Sequence, residues 1–183
     1  MKARTIILWT LILIVIDQLV KIIINAYFLR SKFDIIPSLV EFNPTFNVRH
    51  SYVNTLLNDN FGLNVGLLPH IILYLFIGII IFVYFTYMRS TIVGHKILID
   101  GASIFFYASL FCALIGNLIW KKGTLDYIEL KPLFVFDLKD IYIDSGIVLF
   151  LLYIIKNKTQ INQPIKTKNV FQHAINRLKK RKK

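Results

Sequence analysis

Four apolar stretches constrain this chain more than any other feature, each close to the roughly 20 residues a helix needs to cross a bilayer core of about 30 Å. They run over about 5–28, 67–87, 97–119 and 138–155. A soluble core in a chain of 183 residues does not call for 56% hydrophobic residues, so the surplus points to lipid as the solvent. The fold class that follows is an all-α membrane protein: a bundle of four transmembrane helices with a small extracytoplasmic β-ribbon and loop region between the first two. Residues 1–157 form one four-span domain, and 158–183 form a basic tail. Lys2 and Arg4 precede the first stretch as they would in a signal peptide. That stretch is nevertheless too long for a signal core, lacks a small-x-small cleavage site and contains Asp17 and Lys21, so it reads as an anchor. Cys112, the single cysteine, has no disulfide partner and is a packing or lipid-facing residue of the third stretch.

The charge distribution orients the bundle. A net charge of +12, from 22 basic and 10 acidic residues, would suit a nucleic-acid binder if it were spread evenly. Instead, ten Lys or Arg lie between Lys156 and the C-terminus without one acidic residue. Lys2, Arg4, Arg89 and Lys96 fall on the same side of a four-span arrangement, which places both termini in the cytoplasm. No aromatic interleaving supports nucleic-acid contact. Val170, Phe171, Ala174, Ile175 and Leu178 share one helical face of the tail, as on anionic lipid, although a solvated topology signal is the simpler reading. In the long segment 29–66, Val40, Phe42, Phe46 and Val48 alternate with Glu41, Asn43, Thr45 and Asn47. This period of two predicts an extended ribbon with a turn at Asn43-Pro44. Tyr52, Val53, Leu56, Leu57 and Phe61 then mark a short interfacial helix before Pro69 opens the second span.

Ionisable side chains within spans are costly and therefore informative. Asp17 and Lys21 stand at i, i+4, a spacing that permits an ion pair and, most simply, a structural one. Asp100, at the same spacing from Lys96, reads as interfacial. Asn117 near the outer end of the third span either makes an interhelical hydrogen bond worth about 1 kcal/mol or orients a substrate carbonyl or catalytic carboxylate. Trp120 reads as an interface anchor. Asp137 is placed to cap the fourth helix, on which Asp140 and Asp144 share a face. Asp126 and Asp140 lie at the outer ends of adjacent spans, joined by a short connection. Two carboxylates in one partly desolvated site share a proton, the arrangement of aspartic peptidases. An acidic loop at the membrane surface is the bland alternative.

Taken in order, these motifs resemble the lipoprotein signal peptidase family, signal peptidase II, and the chain is identified as a divergent member. Asp17-Gln18-Leu19-Val20-Lys21 is similar to the family's Asp-Gln-x-x-Lys, and Asn47 stands where the family has an outer-loop Asn. Gly116-Asn117-Leu118-Ile119 and Leu125-Asp126-Tyr127 follow, and Phe136 to Gly146 resembles Phe-Asn-x-Ala-Asp with its following Ile and Gly. The resemblance implies an aspartic endopeptidase of the bacterial cytoplasmic membrane that cleaves signal peptides before the lipid-modified cysteine of prolipoproteins. It implies Asp126 and Asp140 as the catalytic pair, no metal and no cofactor. Asn47 and Asn117 would hydrogen-bond the substrate backbone, Asp17 and Lys21 would shape the wall of the site, and Lys121 and Asp137 would support it. The implied partners are the lipidated prolipoprotein and membrane lipid, with a monomeric enzyme. Trp120-Lys121 replaces the family's Asp-Arg, and Lys121 lacks the planar fork of arginine. Asp137 replaces the family's Asn and Lys139 its Ala, so either Asp137 or Asp140 could partner Asp126. Two rivals follow: a catalytically silent relative that binds prolipoproteins, and a small carrier using Asp17, Asp100 and Asp144 as a polar path.

Overall fold

The computed structural model describes residues 1–50, 52–63, 65–91, 94–120 and 122–158, with Tyr52 and Val53 given by their backbone. Lys121 and the amphipathic face of the tail lie outside the described residues. Helix α1 (Ala3–Ile23) continues as a π-helical turn, Ile24–Phe28. Strands β1 (Phe33–Ile36) and β2 (Val40–Asn47) and helix α2 (Tyr52–Phe61) lead to α3 (Leu67–Thr91) and α4 (Lys96–Ile119). Strands β3 (Thr124–Leu130) and β4 (Phe134–Phe136) precede α5 (Leu138–Lys156).

Ala3–Phe28, Leu67–Thr91 and Lys96–Ile119 are long and apolar enough to cross a membrane. Their outward faces carry Ile7, Leu8, Ile72, Phe76, Ile79 and Phe82, all exposed, as expected where lipid rather than water is the solvent. Helix α5 has 19 residues, and Lys139, Asp140 and Asp144 in its first two turns interrupt its apolar character. At the centre stands α4, which packs against α1, α3 and α5. Inside the protein lies 44% of its apolar window, against 6% of that of α3. Small residues make this possible: Ala102, Ala108 and Cys112 are fully buried and admit close helix approach. Cys112 is thus a packing residue, set with Ala108 against Tyr142.

Two charge clusters tie the helices together. Asp100 is buried, and its partners are Arg89 (Nε to Oδ1, 2.5 Å) and the Met1 amine, whereas Lys96 is exposed. This corrects the expected interfacial pairing: a carboxylate turned into the bundle needs a cation from a neighbouring element, which the water-facing Lys96 cannot supply. At the other end, Lys21 bridges Asp17 (2.9 Å) and Asp137 (2.7 Å), and all three side chains are fully buried. The expected i, i+4 pair is present, and it is half of a triad that joins α1 to the start of α5.

The extended region is a four-stranded antiparallel sheet in the order β1-β2-β3-β4, with half of it drawn from the connection between α4 and α5. The expected turn at Asn43-Pro44 is not one. The chain turns at 37–39, and β2 runs straight through Asn43 and Pro44 as an irregularity where the β2–β3 register shifts between Phe42 and Thr45. A bulge tolerates proline because the residue there needs no ladder donor. Beyond it, Thr45 faces Asp126 and Asn47 faces Thr124. The opposite face of the sheet packs Leu125 and Tyr127 against Ile24 and Val20.

Gly123 permits the close approach of β3 to β2. Its φ is +93°, and a Cβ there would lie 2.3 Å from the Asn47 carbonyl oxygen. Gly123→Ala is expected to destabilise the protein by about 1–3 kcal/mol, read as a lowered thermal midpoint in detergent. Lys21→Met removes the ammonium that two buried carboxylates share, leaving Asp17 with only the Gln18 amide and Asp137 with Lys139. It is expected to cost about 3–5 kcal/mol in a denaturant titration in mixed micelles, a larger loss than Gly123→Ala.

Candidate active site

The site forms where β3 ends its pairing with β2 and α5 begins. Asp126 shares a sheet face with Thr45, Asn47 and Thr124 because of the register set beyond the bulge. The Asn47 amide is oriented by its own loop: its Oδ1 accepts the Arg49 N–H at 3.1 Å, which turns its Nδ2 to donate to Asp126 Oδ2 at 3.3 Å. From the other side, β4 delivers Asp137, whose side chain accepts from Lys139 N at 2.9 Å. Asp140 Oδ2 in turn accepts the Asp137 N–H at 3.1 Å, completing a reciprocal cap at the helix start. The expected capping role of Asp137 is therefore met, and the same cap fixes Asp140.

Carboxylate oxygens of Asp126, Asp137 and Asp140 lie within 4.8 Å of one another. That spacing suits a cation, and the cation present is an ammonium: Lys139 Nζ lies 2.8 Å from Asp126 Oδ1, 3.0 Å from Asp137 Oδ1 and 3.2 Å from Asp140 Oδ2. Here the geometry departs from the expected pair of carboxylates holding one proton between them. The signal lay in the sequence, where Lys139 replaces a family alanine at the residue before Asp140, but a lysine one position from an aspartate on a helix does not by itself point into the same site. Burial, the largest influence, pushes the Asp126 carboxyl up to about 6 against the pull of Lys139. Burial also acts upward on Asp137, but the Lys139 and Lys21 ammonium groups outweigh it and hold that carboxyl below the ordinary range.

A cavity of about 720 Å³ opens beside the carboxylates. Asn47, Asp126, Lys139 and Asp140 line its polar end, and Ile77, Phe106, Leu110 and Ile143 continue it between α3, α4 and α5. Asp140 is the more open of the pair, with a side chain 42% exposed against 5% for Asp126. Asn117 does not reach the carboxylates. Its Oδ1 meets His50 Nδ1 at 2.8 Å and its Nδ2 donates to the Ala113 carbonyl at 2.9 Å. His50, which the sequence did not single out, lines the cavity, and the Tyr74 hydroxyl donates to its carbonyl at 3.0 Å. Trp120 is half-buried and donates from Nε1 to Gln18 Oε1 at 3.2 Å, which fastens the end of α4 to α1. Asp17 and Lys21 do not line the cavity and are linked to it through the buried Asp137, which in turn meets the cavity-lining Lys139 at 3.0 Å.

A family description, signal peptidase (SPase) II, matches residues 9–156. Among solved structures the fold is similar to a bacterial membrane enzyme determined by the in meso method at 1.9 Å resolution. That likeness has a TM-score of 0.62 at 19% identity and covers 85% of this chain and 95% of the other. A second bacterial membrane enzyme structure, determined by the same method at 2.3 Å, gives a TM-score of 0.62 at 18% identity, covering 90% and 94%. No curated protein sequence matches. With the family match spanning the four long helices and the sheet, the chain belongs to the signal peptidase II family and is a membrane peptidase of lipoprotein processing.

Proposed function

We propose that this protein is an intramembrane aspartic endopeptidase that removes signal peptides from lipid-modified prolipoproteins at the lipidated cysteine, with Asp126 and Asp140 as its catalytic pair. The observation that carries this reading is the convergence of carboxylates from two separate elements, β3 and α5, at the polar end of a cavity whose other walls are mainly apolar. Helix α5 would make the fourth crossing. Residues 1–157 then form one domain with the sheet on the outer side, and both termini and the tail 158–183 lie in the cytoplasm, following the distribution of basic residues. The substrate is a lipidated prolipoprotein presented in membrane lipid, and the protein acts as a monomer without metal or cofactor.

In cleavage, one carboxylate takes a proton from water as the oxygen attacks the scissile amide carbon, and the other gives its proton to the carbonyl oxygen. Asp140, more open to the cavity, is the base, and the desolvated Asp126 holds the donated proton. Collapse of the resulting diol breaks the C–N bond: the amine nitrogen takes the proton that Asp140 accepted from water, and Asp126 recovers one from a diol hydroxyl. Asn47 fixes the Asp126 carboxyl, Asp137 fixes the start of α5, and Lys21 with Asp17 holds Asp137. Asn117 acts through His50 on the shape of the cavity. Lys121 remains a supporting residue by its place in the sequence alone.

The position of Lys139 favours a second reading, a relative that binds prolipoproteins without cutting them, because the ammonium lies between the carboxylates. The carrier reading has less support: Asp17 and Asp100 are closed off by Lys21 and Arg89, so they do not join Asp144 in one path.

Purified protein in lipid should cleave a lipidated prolipoprotein just before the modified cysteine. Asp126→Asn or Asp140→Asn should lower the rate by at least about 10²-fold with membrane insertion intact. Tight binding without cleavage by the parent would favour the silent relative. Asp137→Asn should be partly tolerated in the same assay. Stability offers a separate check. The Asp126 carboxyl, raised from an ordinary 3.8 to about 6, favours the folded state below the lower value and loses that contribution as pH rises through the higher one. The thermal midpoint of Asp126→Asn, measured against the parent, should therefore gain as pH increases from about 4 to about 7.

A further inference from the structure

Lys139 is a departure from the family pattern, and the link between α1 and α5 does not need it. The triad that locks α1 to α5 is complete without it, since Lys21 already meets Asp137 at 2.7 Å. The Lys139 side chain is 15% exposed, lines the cavity, and puts its Nζ within hydrogen-bond distance of both carboxylates assigned to cleavage, at 2.8 and 3.2 Å. An ammonium placed there satisfies two anions at once and removes the reason for them to hold a proton in common.

We propose that Lys139 is a positioning residue whose ammonium stands in for the shared proton of Asp126 and Asp140, so that the resting site is held closed and doubly ionised until the side chain withdraws. The inference rests on the peptidase reading for its consequence in cleavage, but not for the electrostatic statement itself. An ammonium so held is a poor acid, because releasing its proton would leave the carboxylates facing one another uncompensated. It also occupies the space between the carboxylates into which the attacking water must come. When it withdraws, the pair takes up one proton from water, and the site then holds one acid and one base. The cavity gives the side chain somewhere to go: Asp144, one turn beyond Asp140, lines the same wall and offers a second anion.

The other groups that bear on this centre come from every side. Lys21 and Asp17 on α1 act through Asp137, Tyr74 faces from α3, and Tyr127 lies beside Asp126 on β3. His50 and Asp144 complete the lining. None of these places a second cation between Asp126 and Asp140 among the described residues. Lowering the pH should have the same effect as withdrawal, since protonating Asp126 loosens its hold on the ammonium.

The test compares the parent, Lys139→Met and Lys139→Arg in lipid, with a lipidated prolipoprotein as substrate across pH. The parent's rate should fall as pH rises above about 6, the range in which burial places Asp126. In Lys139→Met the fall should move upward by at least about one unit, giving roughly a tenfold gain at pH 7.5 relative to pH 5.5, whereas Lys139→Arg should keep the parent's profile. Infrared titration of the Asp126 carboxyl stretch, assigned by its loss in Asp126→Asn, reads the same point without cleavage. The band should be absent from the parent above pH 7 and present in Lys139→Met, with Lys139→Gln as the substitute if the methionine variant does not fold. A protonated Asp126 in the parent above pH 7, an unmoved band in the neutral variants, or a folded Lys139→Met that no longer cleaves would each overturn the proposal. If no form cleaves but the band shifts as stated, the role of Lys139 stands and the peptidase reading falls.

Discussion

The Lys21 ammonium, fully buried between Asp17 and Asp137, is the interaction on which the site depends. A buried cation is tolerable only when anions surround it, and each buried carboxylate is tolerable only when a cation or donors reach it. The triad meets both conditions with groups from different parts of the chain, and so it fixes where α5 starts relative to α1. Asp137 is at once the anion of that triad, the cap of α5 and a contact of Lys139. A small displacement of Asp137 would therefore move three things: the register of α5, the capped position of Asp140 and the ammonium beside Asp126. The arrangement at the opposite end of the bundle shows the same logic in simpler form, with Asp100 held by Arg89 from the adjacent helix.

The second carboxylate is placed by strand geometry rather than by a helix. A single-residue register shift in β2 changes which side chains share a face with Asp126. Without the shift between Phe42 and Thr45, residues of β2 beyond it would present the opposite set of side chains, and Asn47 would point away from the carboxylate it now contacts at 3.3 Å. Pro44 is the residue that suits this irregularity, because it has no N–H to waste at a position without a ladder partner. Gly123 then lets β3 run close enough to β2 for the contact to form.

The sequence made the long helices legible because their period and length leave few alternatives, and the ends at residues 67 and 119 agree with α3 and α4. The Asp17–Lys21 pair and the cap by Asp137 were also readable, since both depend on local spacing alone. What escaped was non-local. Thr124, Leu125, Asp126 and Tyr127 alternate as a strand does, but four residues are too few to distinguish a strand from a short acidic connection when the partner, β2, lies about 80 residues away in the chain. Lys139 stands out in the sequence only as a substitution, because it takes the capped start of α5 and the sheet together to bring its Nζ to Asp126. Asp100 shows the same limit: local spacing favours Lys96 as its partner, and tertiary packing supplies Arg89 instead.

The shape of the cavity follows from how the helices share α4. Both α3 and α5 pack on it, and the space between them is filled by neither, which leaves a groove with Ile77 and Ile81 on one wall, Ile143 on the other and Phe106 and Leu110 as its floor. Such walls reward an apolar chain and penalise an unpaired peptide group by several kcal/mol, so a peptide bond would be stable only at the end where Asn47, Asp126 and Asp140 can meet it. An amphiphile with an amide next to its apolar part would consequently be drawn to one depth, with the amide beside the carboxylates. Depth selection of this kind needs no residue that recognises a particular side chain, and it fits a peptidase whose proposed substrates share a lipidated cysteine.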